Sequence, residues 1–179
     1  MSDVRQPPRK RTLAAVVGAT AASALIGFTG SREGVSLEPY NDTIGAHVRT
    51  VCFGETNVPM RRYSLPECKQ MLGDSLAGYA EGVRSSTPGF DQLTDGQKVA
   101  AIDYAYNRGL GAWRAPSGKD GPSVRAGYVA GDFPAACELY MSWAKVKRWG
   151  EWFDCKDRSN GCYGIYNRRL AERAACLGE

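Results

Sequence analysis

The hydrophobic pattern of this chain separates one apolar run from a series of amphipathic segments. No residue from Thr12 to Ser31 is charged. Leu13, Val16, Val17, Leu25, Ile26 and Phe28 are its strongly apolar members, diluted by alanines and by Gly18, Gly27 and Gly30. As a helix this run of 20 residues would just span a bilayer core. Residues 32–42 read as a short helix running into a turn. Residues 43–60, with Thr, Val, Cys and Phe around Gly45 and Gly54, read as a small hairpin region. Ser64-Leu65-Pro66-Glu67 is a capping box with proline in the first turn. It opens a helix whose apolar stripe is Leu65, Cys68, Met71, Leu72, Leu76, Tyr79 and Val83, closed by Ser85 through Gly89.

Thr94-Asp95-Gly96-Gln97 is a second capping box, and the apolar helix behind it stops at Asn107-Arg108-Gly109. Four glycines and two prolines across 109–122 predict a loop. A short helix is predicted over about 123–130. Another starts at Asp132 with Pro134 in its first turn, along a stripe of Ala136, Leu139, Tyr140, Trp143 and Val146. Asn167 is the expected cap of a last helix reaching about Cys176. The pattern is helical apart from one hairpin near the start of the body, and no internal repeat occurs.

Charge changes the picture at one end only. The formal net charge is +4, and Arg5, Arg9, Lys10 and Arg11 against Asp3 supply most of it. The body is therefore nearly neutral, which argues against a nucleic-acid partner needing a basic face. A basic flank before an apolar run keeps the N-terminus in the cytoplasm and sends the rest across. The run has three membrane readings: a cleaved signal peptide ending near Ala22-Ser23-Ala24, a permanent anchor, and a marginal anchor that inserts and later leaves the bilayer. Its weak apolarity favours the last. A buried helix of a soluble protein is the plain alternative.

All six cysteines (Cys52, Cys68, Cys137, Cys155, Cys162, Cys176) follow the run, which suits three disulfides in an exported body. One histidine and no Cys-x-x-Cys pair make a zinc site improbable, and no metal is expected. Fifteen pairings are formally open. The preferred set is Cys52–Cys68, Cys137–Cys176 and Cys155–Cys162, the last of which would staple a polar loop.

Candidate chemistry begins just past the run. Glu33 and Asp42 are two carboxylates nine positions apart, and Thr50 offers a hydroxyl eight further on. Glycoside cleavage needs one carboxyl to protonate the leaving oxygen and a second carboxylate to activate water or stabilise the cationic transition state. Acids in different surroundings can take these roles at one pH. Alone, such a pair is equally a set of solvated surface charges. Tyr104, Tyr106, Trp113, Trp143, Trp149 and Trp152 could stack on sugars, although helical spacing favours a core role for most. Asp103, between Ile102 and Tyr104, is either a buried hydrogen-bonded acid or an edge residue facing solvent.

Glu33-Gly34, Pro39-Tyr40-x-Asp42 and Thr50-Val51-Cys52-x-Gly54 together resemble the phage-type lysozymes, or muramidases, of glycoside hydrolase family 24. Tyr104-Ala105-Tyr106-Asn107-x-Gly109 and Gly164-Ile165-Tyr166-Asn167-Arg168-Arg169-x-x-Glu172 extend the likeness over roughly residues 32–177. The Ala/Gly-rich run is similar to that of the signal-anchor-release endolysins, as is the placement of Cys52, Cys68, Cys137 and Cys176, whereas Cys155 and Cys162 look like an addition. The resemblance implies an α+β, mainly α, two-lobed fold with a small β-hairpin lobe, a larger helical lobe and a preceding apolar helix. It implies a signal-anchor segment over 1–31 and a catalytic domain over 32–179.

By the same resemblance Glu33 is the general acid, Asp42 holds and activates water, and Thr50 shares that water. Arg168 pairs near Glu33 and, with Asn107 and Tyr40, belongs to the substrate-binding set. The expected substrate is peptidoglycan, cut between N-acetylmuramic acid and N-acetylglucosamine, without cofactor, by a monomer. The inner membrane is met through residues 12–31 before release to the periplasm. Rival readings are a lytic transglycosylase and a non-catalytic, anchored peptidoglycan-binding protein. Two departures stand out. The Asp42–Thr50 spacing is two residues longer than usual, with the lone His47 in the enlarged loop, and Glu55 stands where relatives often carry histidine.

Overall fold

The computed structural model describes residues 11–41 and 48–179. Asp42 and His47 lie outside the described residues. The apolar run forms two helices, α1 (Leu13–Val17) and α2 (Ala19–Gly30). Thr12 caps α1 through its hydroxyl, and Gly18, at φ +92°, ends one helix and begins the next. Only glycine adopts that conformation cheaply, so the single span expected from the sequence is broken here. Among the described residues no helix is long and apolar enough to cross a membrane. Leu13, Val16, Val17, Ala21, Ala22 and Leu25 are buried in the same core as the rest of the chain. Each large apolar side chain so buried contributes about 1.5–3 kcal/mol.

A turn follows, then the antiparallel pair β1 (Ser36–Asn41) and β2 (Arg49–Cys52), in which Tyr40 faces Thr50. The short helix expected over 32–42 is therefore a turn and a strand. Pro39 cannot donate a backbone hydrogen bond, and a two-stranded sheet offers an edge where that costs nothing. Both capping boxes form as read. Ser64 and Glu67 cap α3 (Leu65–Ser86), and Thr94 and Gln97 cap α4 (Asp95–Arg108). Gly109, at φ +87°, turns the chain into α5 (Leu110–Arg114), a short helix inside the predicted loop. Trp113, at 1% exposure, drives it, because burying an indole outweighs the flanking glycines.

Val124–Ala130 forms α6 as expected, and Asp132 caps α7 (Phe133–Glu138). The predicted stripe onward to Val146 does not continue as one helix. Leu139–Trp143 tightens into a 3-10 turn and the chain enters a second hairpin, β3 (Lys145–Arg148) with β4 (Glu151–Asp154). Its two-residue loop, Trp149-Gly150, has positive φ at both positions, +52° and +88°, the handedness that matches strand twist. Trp149 is 91% exposed, against the core role expected for most of the aromatics. The last helix, α8 (Tyr163–Leu177), starts at Cys162 rather than Asn167, which lies inside it.

Three disulfides join Cys52–Cys68, Cys137–Cys176 and Cys155–Cys162. The first ties β2 to α3, the second ties α7 to α8, and the third closes the loop between β4 and α8. The centre of the helical lobe is the crossing of α4 and α8, with α2 packed on α4. Gly96 sits where a Cβ would run into the carbonyl oxygen of Ala175. Gly96→Ala should therefore cost about 1–3 kcal/mol, lowering Tm by roughly 2–4 °C per kcal/mol, as read by circular dichroism melts.

Candidate active site

Glu33 lies in the turn that ends α2, its backbone N–H donating to the Thr29 carbonyl at 3.1 Å. Its carboxylate is only 28% exposed and accepts a hydrogen bond from Arg168 Nη1 at 2.7 Å. Arg168 projects from the second turn of α8 and is itself buried. The rest of its guanidinium is engaged by Asp103. Arg168 Nε donates to Oδ2 and Nη2 to Oδ1, each at 2.9 Å, a two-pronged fork. Thr29, the last buried residue of α2, donates its hydroxyl to Asp103 Oδ1 at 2.7 Å. Asp103 is thus the buried, hydrogen-bonded acid of the two alternatives its position left open.

The network continues inward. Arg169 lies 2.9 Å from Glu172 and donates to the side-chain oxygen of Asn107 at 2.6 Å. Glu172 also stands 3.9 Å from Arg168. Asp103, Arg169 and Glu172 have no exposed surface. Burial works to raise the Asp103 carboxyl, but the Arg168 fork overcomes it and holds the group below its ordinary value. Burial lifts the Glu172 carboxyl well above the usual range, with the Arg169 guanidinium opposing the rise. Tyr106 is pushed up to about 12, chiefly by burial, with the nearby Glu33 and Glu55 side chains adding to the rise.

The remaining sequence candidates spread around this centre. Thr50 is buried on β2, its hydroxyl donating to the Val48 carbonyl at 3.2 Å. Tyr40 is exposed on β1, opposite Thr50 in the sheet. Asp42 lies outside the described residues. Glu55 accepts a hydrogen bond from the Ser75 hydroxyl at 3.0 Å and anchors the small sheet to α3. A cavity of about 730 Å³ is lined by Arg32, Asn107, Arg148, Asn167 and Arg168, so it borders Glu33's chain neighbour and its ion-pair partner, while Glu33 itself does not line it. Sequence reasoning found Glu33, Arg168 and Asn107. It missed Thr29, Arg169 and Glu172 as partners, although a lone hydroxyl in an apolar run and an Arg-Arg-x-x-Glu spacing on one helix were the available signals.

The low Asp103 value gives acid stability a definite sign. A carboxyl held below its ordinary value contributes stability above about pH 4, and loses it as pH falls through the folded-state value. Wild type should show a fall in Tm below about pH 4 that is visibly smaller in Asp103→Asn. Arg168→Met, which strands Asp103 without a cation, should lose about 3–5 kcal/mol at neutral pH in denaturant titrations.

Comparison with known proteins identifies the family and the fold. The phage lysozyme family model matches residues 30–172. The SAR-endolysin of Escherichia phage 933W is 32% identical, over 90% of this chain and 88% of that protein. The SAR-endolysin of Bacteriophage PS34 is 27% identical, over 94% of this chain and 93% of that protein. Among solved structures, the active form of P1 phage endolysin Lyz superposes with a TM-score of 0.66 at 20% identity, over 96% of this chain and 97% of that one, a likeness of fold. The mainly helical, two-lobed architecture is the lysozyme-like one. With the family's model spanning the segment that carries Glu33, Asp103 and Arg168, and with relatives aligned almost end to end, the chain belongs to the phage lysozyme family.

Proposed function

We propose that this lysozyme-type hydrolase cleaves the β-1,4 bond between N-acetylmuramic acid and N-acetylglucosamine in peptidoglycan, with Glu33 as general acid. The observation that carries the reading is the Glu33 carboxylate, partly exposed and fixed by a buried arginine. A general acid must hold one orientation toward the leaving oxygen, and the Arg168 hydrogen bond supplies it. Asp42 is assigned to hold and activate the attacking water, with Thr50 sharing that water. Tyr40 and Asn107 are assigned to contact the glycan. Water attacking on the face opposite the leaving group would invert the anomeric centre. A transglycosylase would use the acid alone and leave an anhydro product. The second carboxylate at Asp42 favours hydrolysis.

The relatives' name, SAR-endolysin, points to a chain that is first held in the host inner membrane and later acts in the periplasm. For this chain residues 1–31 are assigned as that signal-anchor segment and 32–179 as the catalytic domain. In the folded body residues 13–30 of that segment form α1 and α2, packed on the core, with Glu33 in the turn that follows. A chain whose residues 12–31 remained in lipid could not offer Thr29 to Asp103 or bring Glu33 to Arg168. Tethering would therefore keep the enzyme inactive, and lysis of the bacterial host would follow release. No cysteine lies in residues 1–31, so control by thiol exchange from the anchor is excluded.

Two outcomes test this reading. Glu33→Gln should lose about 10²–10⁴-fold in the rate of bacterial cell-wall clearing, and wild-type products should end in reducing sugars rather than anhydro sugars by mass spectrometry. Gly27 faces open space, so Gly27→Leu should fold normally yet raise retention in the membrane fraction and delay lysis.

A further inference from the structure

The hydrogen bond that fixes Glu33 carries a difficulty for the proposed chemistry. A guanidinium 2.7 Å from a carboxylate favours its ionised form, whereas a general acid must arrive with its proton. Asp103 resolves the conflict. It takes Nε and Nη2 of Arg168 in a fork, leaving Nη1 for Glu33. Forked on one buried carboxylate, the guanidinium offers Glu33 a directed donor with little net charge. Glu33 and Asp103 meet few other charges. Arg32 precedes Glu33 in its own turn, Tyr106 comes from α4, Arg169 and Glu172 from α8 and Glu55 from the small lobe. Thr29 comes from α2 and is neutral.

We infer that Asp103 is a positioning residue for the reaction. By forking Arg168 it orients and neutralises the cation that touches Glu33, so that Glu33 keeps the proton it must give to the leaving oxygen. The Thr29 hydroxyl completes the carboxylate's shell and makes this arrangement depend on α2 being seated in the body. The inference rests on the reading of Glu33 as general acid. It gives the apolar segment a chemical part in the site: docking α2 brings Glu33 to Arg168 and, through one hydroxyl, holds the Asp103 carboxylate in place for its fork on Arg168. Thr29 and Asp103 are 74 positions apart in sequence, so the bond forms only in the folded body.

The test is the pH–rate profile of the full-length, oxidised protein on bacterial cell walls. Asp103→Asn keeps the side-chain shape and removes the counter-charge, so its alkaline limb should move toward acid by about one pH unit, a loss of about tenfold in rate on that limb. Thr29→Val removes only a neutral donor. It should move the limb the same way by a smaller step, about threefold in rate, and Thr29→Ser should restore it. A limb that stays at the wild-type position in Asp103→Asn and Thr29→Val, with any loss uniform across pH or tracking the unfolded fraction, overturns the inference. If Asp103→Asn does not fold, Thr29→Val decides alone by the same criterion. Glu33→Gln, run in parallel, separates the two levels: wall hydrolysis by that variant would remove the functional reading itself and this inference with it.

Discussion

The structure turns on one buried cation. Arg168 is almost fully enclosed, and a guanidinium cannot shed its proton to escape the cost of burial. It must be met by acids, and two meet it from different parts of the fold, Glu33 after α2 and Asp103 in α4. Three elements far apart in sequence are thereby held at one point. The helices could slide within ordinary apolar packing, but the fork tolerates little error in angle or distance. The same requirement that specifies the fold therefore fixes the direction of the Glu33 carboxylate. Glu172 and Arg169 extend the pairing inward, so that the crossing of α4 and α8 is electrostatic at its heart and apolar around it.

The N-terminal stretch meets a second constraint, close packing on α3 and α4. Its alanines suit close helix packing, and Leu13, Val16, Val17 and Leu25 face the core. Gly18 breaks it into two short helices, α1 packed on α3 and α2 packed on α3 and α4. Its weak apolarity in the sequence and its close fit in the body are two sides of one composition. Small residues keep its apolarity low while allowing backbones to approach within the protein.

Much of this was legible in advance. Both capping boxes named their helices because the signal is local and stereochemical, fixed by a side chain and the backbone three residues away. Glu33 and Arg168 were legible through motif order. The second hairpin was not, because Trp149-Gly150 is an uncommon turn dipeptide and the four-residue strands beside it carry too few positions to show alternation. The helix α5 was hidden by its glycines, which local propensity reads as loop while Trp113 is fixed by distant contacts. The bond between Thr29 and Asp103 escaped for the same reason. A partner 74 positions away leaves no trace in spacing.

The burial of α1 and the first half of α2 bears on how the chain can be processed. A small-residue site at Ala22-Ser23-Ala24 invites a peptidase cut, yet cutting there would strip Leu13, Val16, Val17, Ala21 and Ala22 from the interior. The remainder would be a body with an open trough along α3, not a finished enzyme freed of its leader. Trimming and maturation are opposed in this molecule, and its N-terminal segment is worth more to the fold intact than removed.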